Sequence, residues 1–260
     1  MDAAFQFTQH ELNTWIASLV LAFTRIMAML VTAPLFGARS VPMRVRVSLA
    51  LVLSLMMLPL LPPAPAMDLL GFRMMLALGR ELLIGAMAGF VLQLVFAALA
   101  IAGETIALGM GLGFATMVDP GSGARVPVVG QVYTILATLL FLALDGHLAL
   151  MSFMATSFSD TPMGGGINFQ DFAAIANWGS VMFAHAIMIA LPAVGALLLA
   201  NISMGVVTRA APSLNIFAVG FPMTLMLGFV LLWATVDGMA GRFELLLGEG
   251  FTLVGWLLGG

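Results

Sequence analysis

Apolar side chains fill long unbroken stretches of this chain, and polar residues gather in the short intervals between them. The apolar runs are Trp15–Val31, Val45–Leu61, Met74–Ala102, Val128–Leu144, Val181–Val207 and Phe217–Val236, with a shorter tail at Leu245–Leu258. The runs before the tail approach or exceed the roughly 17–25 residues that a helix needs to cross a bilayer. Helix breakers separate them: Pro34 and Gly37 after the first run, Pro59, Pro62, Pro63 and Pro65 after the second, "SDTPMGGGINFQD" after the fourth and "RAAPSLN" after the fifth. Asp68, Asp171 and Ser213 each stand just ahead of a run and are expected N-caps, because a short polar side chain there accepts from an orphaned helix N–H. The pattern predicts an all-α chain of membrane-associated helical hairpins, with about six long apolar helices.

No proline interrupts the chain from Asp68 to Leu108. A helix of that span would be roughly 60 Å long, about twice the thickness of the hydrocarbon layer. Arg73, Arg80, Glu81 and Glu104 lie along it, so it is expected to project beyond the bilayer or to pack inside a larger assembly. Arg25 falls near the middle of the first run. A mid-membrane arginine costs about 2.5–3.5 kcal/mol on insertion scales and must face protein or water; Glu104 and Glu81 are its candidate partners. Arg80 and Glu81 are adjacent, project about 100° apart on a helix, and are expected to serve different neighbours. Arg25, Arg80, Glu81 and Glu104 are thus expected to pair with other subunits or to line a conduit.

One segment, "GETIALGMGLGFATMVDPGSG" from Gly103 to Gly123, has neither a helix's composition nor a solvated loop's. Gly109, Gly111 and Gly113 would together cost a helix about 3 kcal/mol relative to alanine. Asp119-Pro120-Gly121 then ends any helix, since the residue before proline leaves the helical region. Gly109–Gly123 is therefore expected to be irregular or extended. Alternating glycines leave one side of an extended chain bare and put Met110, Leu112 and Phe114 on the other, with Met117 close behind. Irregular backbone at membrane depth survives only inside protein or along a watery cavity, because lipid cannot satisfy its polar groups. Enclosed there, these residues would make an adaptable apolar plug, to which unbranched methionine is suited. At the bilayer surface the same residues would make an ordinary turn dipping into the headgroups.

Composition supports the membrane reading: 62% of the 260 residues are hydrophobic and only 8% charged, against about 25% charged in a soluble domain. The net charge of −3 points to no partner, and no basic nucleic-acid footprint is present. Every one of the basic residues is arginine, which keeps its charge when buried and makes forked hydrogen bonds. Cysteine is absent, which excludes disulfides and thiolate metal sites. Met1–Glu11 carries no arginine and does not read as a cleavable signal, so the first apolar run is expected to be retained. Arg39, Arg44 and Arg46 cluster at the first connection, Arg125 and Arg209 fall in the third and fifth, and the fourth holds Asp145, Asp160 and Asp171 with no arginine. By the positive-inside rule the odd connections face the cytoplasm and both termini lie outside. The Gly/Pro-rich stretch Ser159–Asp171 divides the chain into a part over 1–158, containing the segment 106–123, and a part over 159–260.

Other motifs carry little chemistry. Gly85 and Gly89 form a GxxxG, a face for close helix packing. "DGH" at Asp145–His147 reads as a turn with interfacial polar groups. No nucleophile elbow, P-loop or zinc signature occurs, and no catalytic residue, cofactor or metal is expected.

The chain as a whole resembles the FliR family of flagellar export-gate proteins, which has the injectisome members SpaR, YscT and HrcT. The resemblance is carried by "TRI" at Thr24–Ile26, "PLFG" at Pro34–Gly37, "VP" at Val41–Pro42 and the Gly103–Pro120 segment with its "DP". "GH" at Gly146–His147, "LP" at Leu191–Pro192 and above all "RAAPSLNIFAVGFP" at Arg209–Pro222 complete it. Ser213 and the arginines Arg44 and Arg46 depart from the glutamine and lysine usual in that family. The resemblance implies a subunit of a protein-export gate in the bacterial inner membrane, within the flagellar basal body and raised toward the periplasm. It implies FliP and FliQ as fellow subunits, FlhB as a close associate, and unfolded polypeptides as cargo. The first part of the chain would be FliP-like and the second FliQ-like, and Gly109, Met110, Gly111, Leu112, Gly113, Phe114 and Met117 would plug the closed conduit. The competing readings are a small-molecule secondary transporter with a broken-helix site around Gly109–Asp119, and an intramembrane enzyme using Asp145, His147 or His185.

Overall fold

The computed structural model describes residues 9–38, 40–65, 67–113, 128–166, 168–211 and 216–259. Every regular element among them is helical: α1 (Gln9–Thr32), α2 (Met43–Met57) with a 3-10 turn at Leu58–Leu60, α3 (Phe72–Gly109), α4 (Val128–Ala143), α5 (Gly146–Asp160), α6 (Phe169–Ala210) and α7 (Ile216–Gly259). Five helices are long and apolar enough to cross a membrane, or six if the bent pair α4 and α5 is counted as one span.

The expected long third helix is present, starting at Phe72 and running 38 residues to Gly109. The last apolar run and the tail, read from sequence as separate pieces, are one 44-residue helix, α7. Asp237, Arg242, Glu244 and Glu249 interrupt the hydrophobic pattern there, but all four are exposed on the helix and do not break it. The expected caps also differ. Asp171 lies inside α6, where its carboxylate accepts from the N–H of Asn168 at 2.8 Å; this is the reaching-back half of a capping box, three residues in from the cap. Asp68 ends its role one turn before α3, its carbonyl accepting from Gly71 N–H at 2.9 Å. Ser213 lies outside the described residues. At "DGH", Asp145 takes a left-handed conformation, φ 54°, between the end of α4 and the start of α5.

The chain forms two compact units, Met1–Leu94 with Asp145–Asn177 and Gly248–Gly260, and Val95–Leu144 with Trp178–Leu247. Each unit draws on chain from both sides of Ser159. In the first, α1 buries Ala17, Leu21, Ala22, Ile26, Met29 and Leu30, the spacing of one helix face, and Ala33 just past its end is buried with them. That face lies on α3 at Gly85 and Gly89: a Cβ at Gly85 would sit 2.9 Å from the Arg25 carbonyl carbon, and one at Gly89 would sit 2.8 Å from Ala33 N. Close backbone approach of this kind is what the GxxxG pattern provides. A second cluster joins Ile84, Met87, Ala88 and Val91 of α3 to Ile175 of α6 and Val254, Leu257 and Leu258 of α7. In the other unit, Phe96 of α3 meets Phe141 of α4 and Phe243 of α7 edge to face, with ring centroids 5.6 and 5.7 Å away. Gly103 of α3 abuts Gly130 of α4, leaving no room for a Cβ.

Candidate functional site

The glycine-rich segment begins where α3 ends. Gly111 N–H donates to Leu108 C=O and Leu112 N–H reaches back to Ala107 C=O, both at 3.1 Å. These are the paired bonds of a Schellman motif, which requires a left-handed residue at the first position past the cap. Gly111 supplies it with φ 82°. The helix stops for the reason the glycines suggested: a residue without Cβ takes this conformation at little cost.

Gly109 is the last helical residue, and Leu197 of α6 packs over it, with Leu197 Cδ1 3.2 Å from where a Cβ would be. Met110 has no exposed surface at all. Its side chain lies across Gly228 of α7, and its carbonyl oxygen is 3.4 Å from the Thr224 hydroxyl. Leu112 and Gly113 are half-buried. Phe114 and Met117, the remaining plug candidates, lie outside the described residues. Gly228 and Thr224 escaped the reading of the sequence. Their signal was present as a small pair four residues apart on one face, a pattern that permits close approach.

The interior charges are joined within this chain. Arg25 and Glu81 have no exposed side-chain surface, and Arg25 Nε donates to Glu81 Oε2 at 2.5 Å. The rest of the guanidinium is also satisfied: Nη1 donates to the carbonyl and hydroxyl of Ser157 at 2.9 and 3.1 Å, and Nη2 to Thr161 C=O at 3.0 Å. The Phe158 ring lies 4.3 Å from the guanidinium carbon, within cation–π range. Glu81 Oε1 accepts the Gly164 N–H at 2.9 Å, and Arg80 Nη1 donates to the Gly164 carbonyl at 3.0 Å. The two adjacent charges, expected to serve different neighbours, therefore hold both polar groups of one residue. Thr161 in turn donates to Leu258 C=O at 2.7 Å. A buried ion pair is tolerable only when its remaining donors and acceptors are met, and here they are.

Glu104 is different. It is half-buried on α3, and its Oε2 is enclosed without a hydrogen-bond partner among the described residues. His147 Nδ1 is likewise enclosed without one. Among the described residues no group of three or more histidine or carboxylate side chains could hold a metal ion.

Comparison with known proteins gives a consistent result. Residues 16–250 match the family described as bacterial export proteins, family 1. The chain is 39% identical over 250 residues to the flagellar biosynthetic protein FliR of Escherichia coli (strain K12), covering 96% of this chain and 95% of that one. It is 37% identical over 255 residues to FliR of Pectobacterium carotovorum subsp. carotovorum, covering 97% of each. To FliR of Bacillus subtilis (strain 168) it is 34% identical over 217 residues, covering 82% and 83%.

Proposed function

The chain belongs to the bacterial export proteins of family 1, and from that premise we propose that it is a subunit of the flagellar type III export gate, forming a polypeptide-conducting channel with FliP and FliQ and closing it with the segment Gly109–Met117. The family membership makes it a multi-pass membrane protein of flagellar biosynthesis. The finer reading places it in the inner membrane at the basal body, displaced toward the periplasm and associated with FlhB. Unfolded polypeptide is the cargo, and partner components supply the energy.

The observation that carries this reading is the length over which the helices expose apolar surface. Large apolar side chains are exposed on α6 at Phe172 and from Phe183 to Val207, and on α7 from Val219 to Trp233 and again at Leu245 and Trp256 beyond the exposed Asp237, Arg242 and Glu244, so that the outermost of them stand about 50–55 Å apart along each helix. A bilayer offers roughly 30 Å of hydrocarbon, and a helix tilted by 40° passes through only about 39 Å of it. The apolar side chains exposed beyond that reach would be covered by fellow subunits of a gate. The closing role is supported by the end of α3. The helix is capped at Gly111, where the chain turns and passes into the glycine-rich, apolar residues that follow.

The test is deletion of Leu112–Met117 in the assembled complex, with ion leakage and substrate export measured together. The proposal expects leakage to rise sharply while the complex still forms. Unchanged conductance with normal export in an intact particle refutes the closing role. Recovery of the chain from mild detergent only as a monomer, with no co-purifying subunits, refutes the assembly.

A further inference from the structure

The first two helices differ from the long ones in how they match a bilayer. The candidate spans of α1 and of α2 with its 3-10 turn, Glu11–Thr32 and Met43–Leu60, have 22 and 18 residues, about 33 and 27 Å of helix. They bracket the roughly 30 Å of a bilayer's hydrocarbon. The candidate spans of α3, α6 and α7 have 38, 41 and 40 residues and run about 57–62 Å, twice that thickness. The short hairpin is fastened at both ends. Arg46 Nη2 donates to Ala38 C=O beside the first connection, and past the 3-10 turn Ala64 N–H donates to the Ser18 hydroxyl oxygen at 2.9 Å. Within the hairpin α2 packs on α1 and buries only Ala50 and Ser54. Val45, Val47, Leu51, Val52, Leu55 and Met56 are exposed, and at 100° per residue they sweep about 180° of the helix. That exposed half holds no glycine or alanine. Its polar residues are Arg44 in the first turn and Ser48 in the second, and Arg44 has no partner among the described residues.

We propose that this half of α2 is the surface by which the chain meets lipid, with acyl chains along Val45–Met56 and Arg44 on the phosphate of an anionic headgroup at one end. Length, residue type and charge agree on that occupant. The span fits the hydrocarbon without surplus. A helix interface inside a membrane draws on small residues for close approach; both buried positions of α2 are small, whereas its exposed half is bulky and aliphatic apart from Ser48, near the headgroup end. A free arginine one turn from the end of such a span extends its apolar stem along the chains and its forked donors to phosphate oxygens. The inference needs only a membrane-spanning chain and does not rest on the gate.

The chain has no cysteine, so single thiols carry a spin label without background from it. Val47→Cys, Val52→Cys and Met56→Cys are labelled in the particle as purified, any other subunits freed of cysteine, in bilayers of phosphatidylcholine and phosphatidylglycerol. Collisions with oxygen, which partitions into acyl chains, are compared with collisions with a water-soluble nickel chelate. Oxygen should dominate at all three positions, most of all at Val52, beside the middle of the span. A label at Met43→Cys should meet the chelate more often than one at Val52. Leu51→Cys and Leu55→Cys, on the same face, replace any variant that does not fold. For the headgroup, the fraction of spin-labelled phosphatidylglycerol held at the protein surface is compared with that of phosphatidylcholine, and Arg44→Gln should lose part of the preference for phosphatidylglycerol. Low collision rates with both reagents along the face would mean that another subunit covers α2, and higher rates with the chelate would mean water; either overturns the proposal. An unchanged lipid preference in Arg44→Gln overturns the headgroup contact. A particle holding this chain alone would end the gate reading, while collisions dominated by oxygen in that particle would still support α2 in lipid.

Discussion

Glu81 holds Arg25 with one carboxylate oxygen and the Gly164 N–H with the other, so a single side chain ties α1 and α3 to the turn that follows α5. Removing one member leaves the other charged, buried and unpaired, which costs about 3–5 kcal/mol. Arg25→Ala and Glu81→Ala should each abolish recovery of monodisperse protein in detergent. Arg25→Lys should fare little better, since one ammonium cannot reach the Glu81, Ser157 and Thr161 acceptors with the spread of a guanidinium. The double replacement Arg25→Met/Glu81→Met should be milder than the sum of the single losses, because no lone charge remains. Recovery of the four variants in one detergent, with thermal unfolding of those that are recovered, checks the order.

Gly85 and Gly89 set how near α1 approaches α3. A Cβ at either meets backbone atoms that cannot give way. Gly85→Ala and Gly89→Ala should each destabilise the protein by about 1–3 kcal/mol. Gly79, in the same helix, has nothing within 4 Å of its Cβ position. Gly79→Ala should be neutral or stabilise by up to about 1 kcal/mol, the helix preference of alanine over glycine. Melting temperatures of the three variants give the comparison, and equal effects at all three sites would contradict it.

Gly111 occupies a left-handed conformation that costs a residue with a Cβ about 1–2 kcal/mol. Gly111→Ala should loosen the end of α3, and Gly111→Asn should do so less, since asparagine tolerates that region better. Hydrogen exchange at Leu112 N–H, which bonds to Ala107 C=O, reads the difference directly.

Glu104 presents the opposite case to Glu81: its enclosed Oε2 meets no donor among the described residues. A buried acceptor with no donor costs about 1–3 kcal/mol, more if charged. Glu104→Leu should therefore leave the stability of the chain unchanged or raise it, whereas Glu81→Leu should destroy it. Thermal unfolding of the two variants decides; a large loss from Glu104→Leu would show that Oε2 has a donor.

Much of this could be read locally, and the rest depended on packing. The end of α3 was legible because Gly109, Gly111 and Gly113 and the absence of proline before them act through the backbone alone. The continuity of α7 was not: Asp237, Arg242, Glu244 and Glu249 look like a break in an apolar run, and only their placement on an exposed face shows otherwise. Asp171 was read one turn out of place because Asn168 stands in the cap position ahead of it. The partner of Arg25 could not be chosen between Glu81 and Glu104 by counting residues. Yet Glu81, Gly85 and Gly89 share an i, i+4, i+8 stripe, so the close-packing face and the buried carboxylate are one feature of α3. The contact of Met110 with Gly228 needed tertiary structure, because Gly228 lies far along the chain and its bare backbone matters only once α3 lies against it.

The core around Met87 and Val91 has a consequence for synthesis. Half of its wall is Val254, Leu257 and Leu258, and Thr161 is bonded to that same turn. A nascent polypeptide therefore makes α3 long before it can complete this core. Until residue 258 has been made, that face of α3 lacks part of its covering.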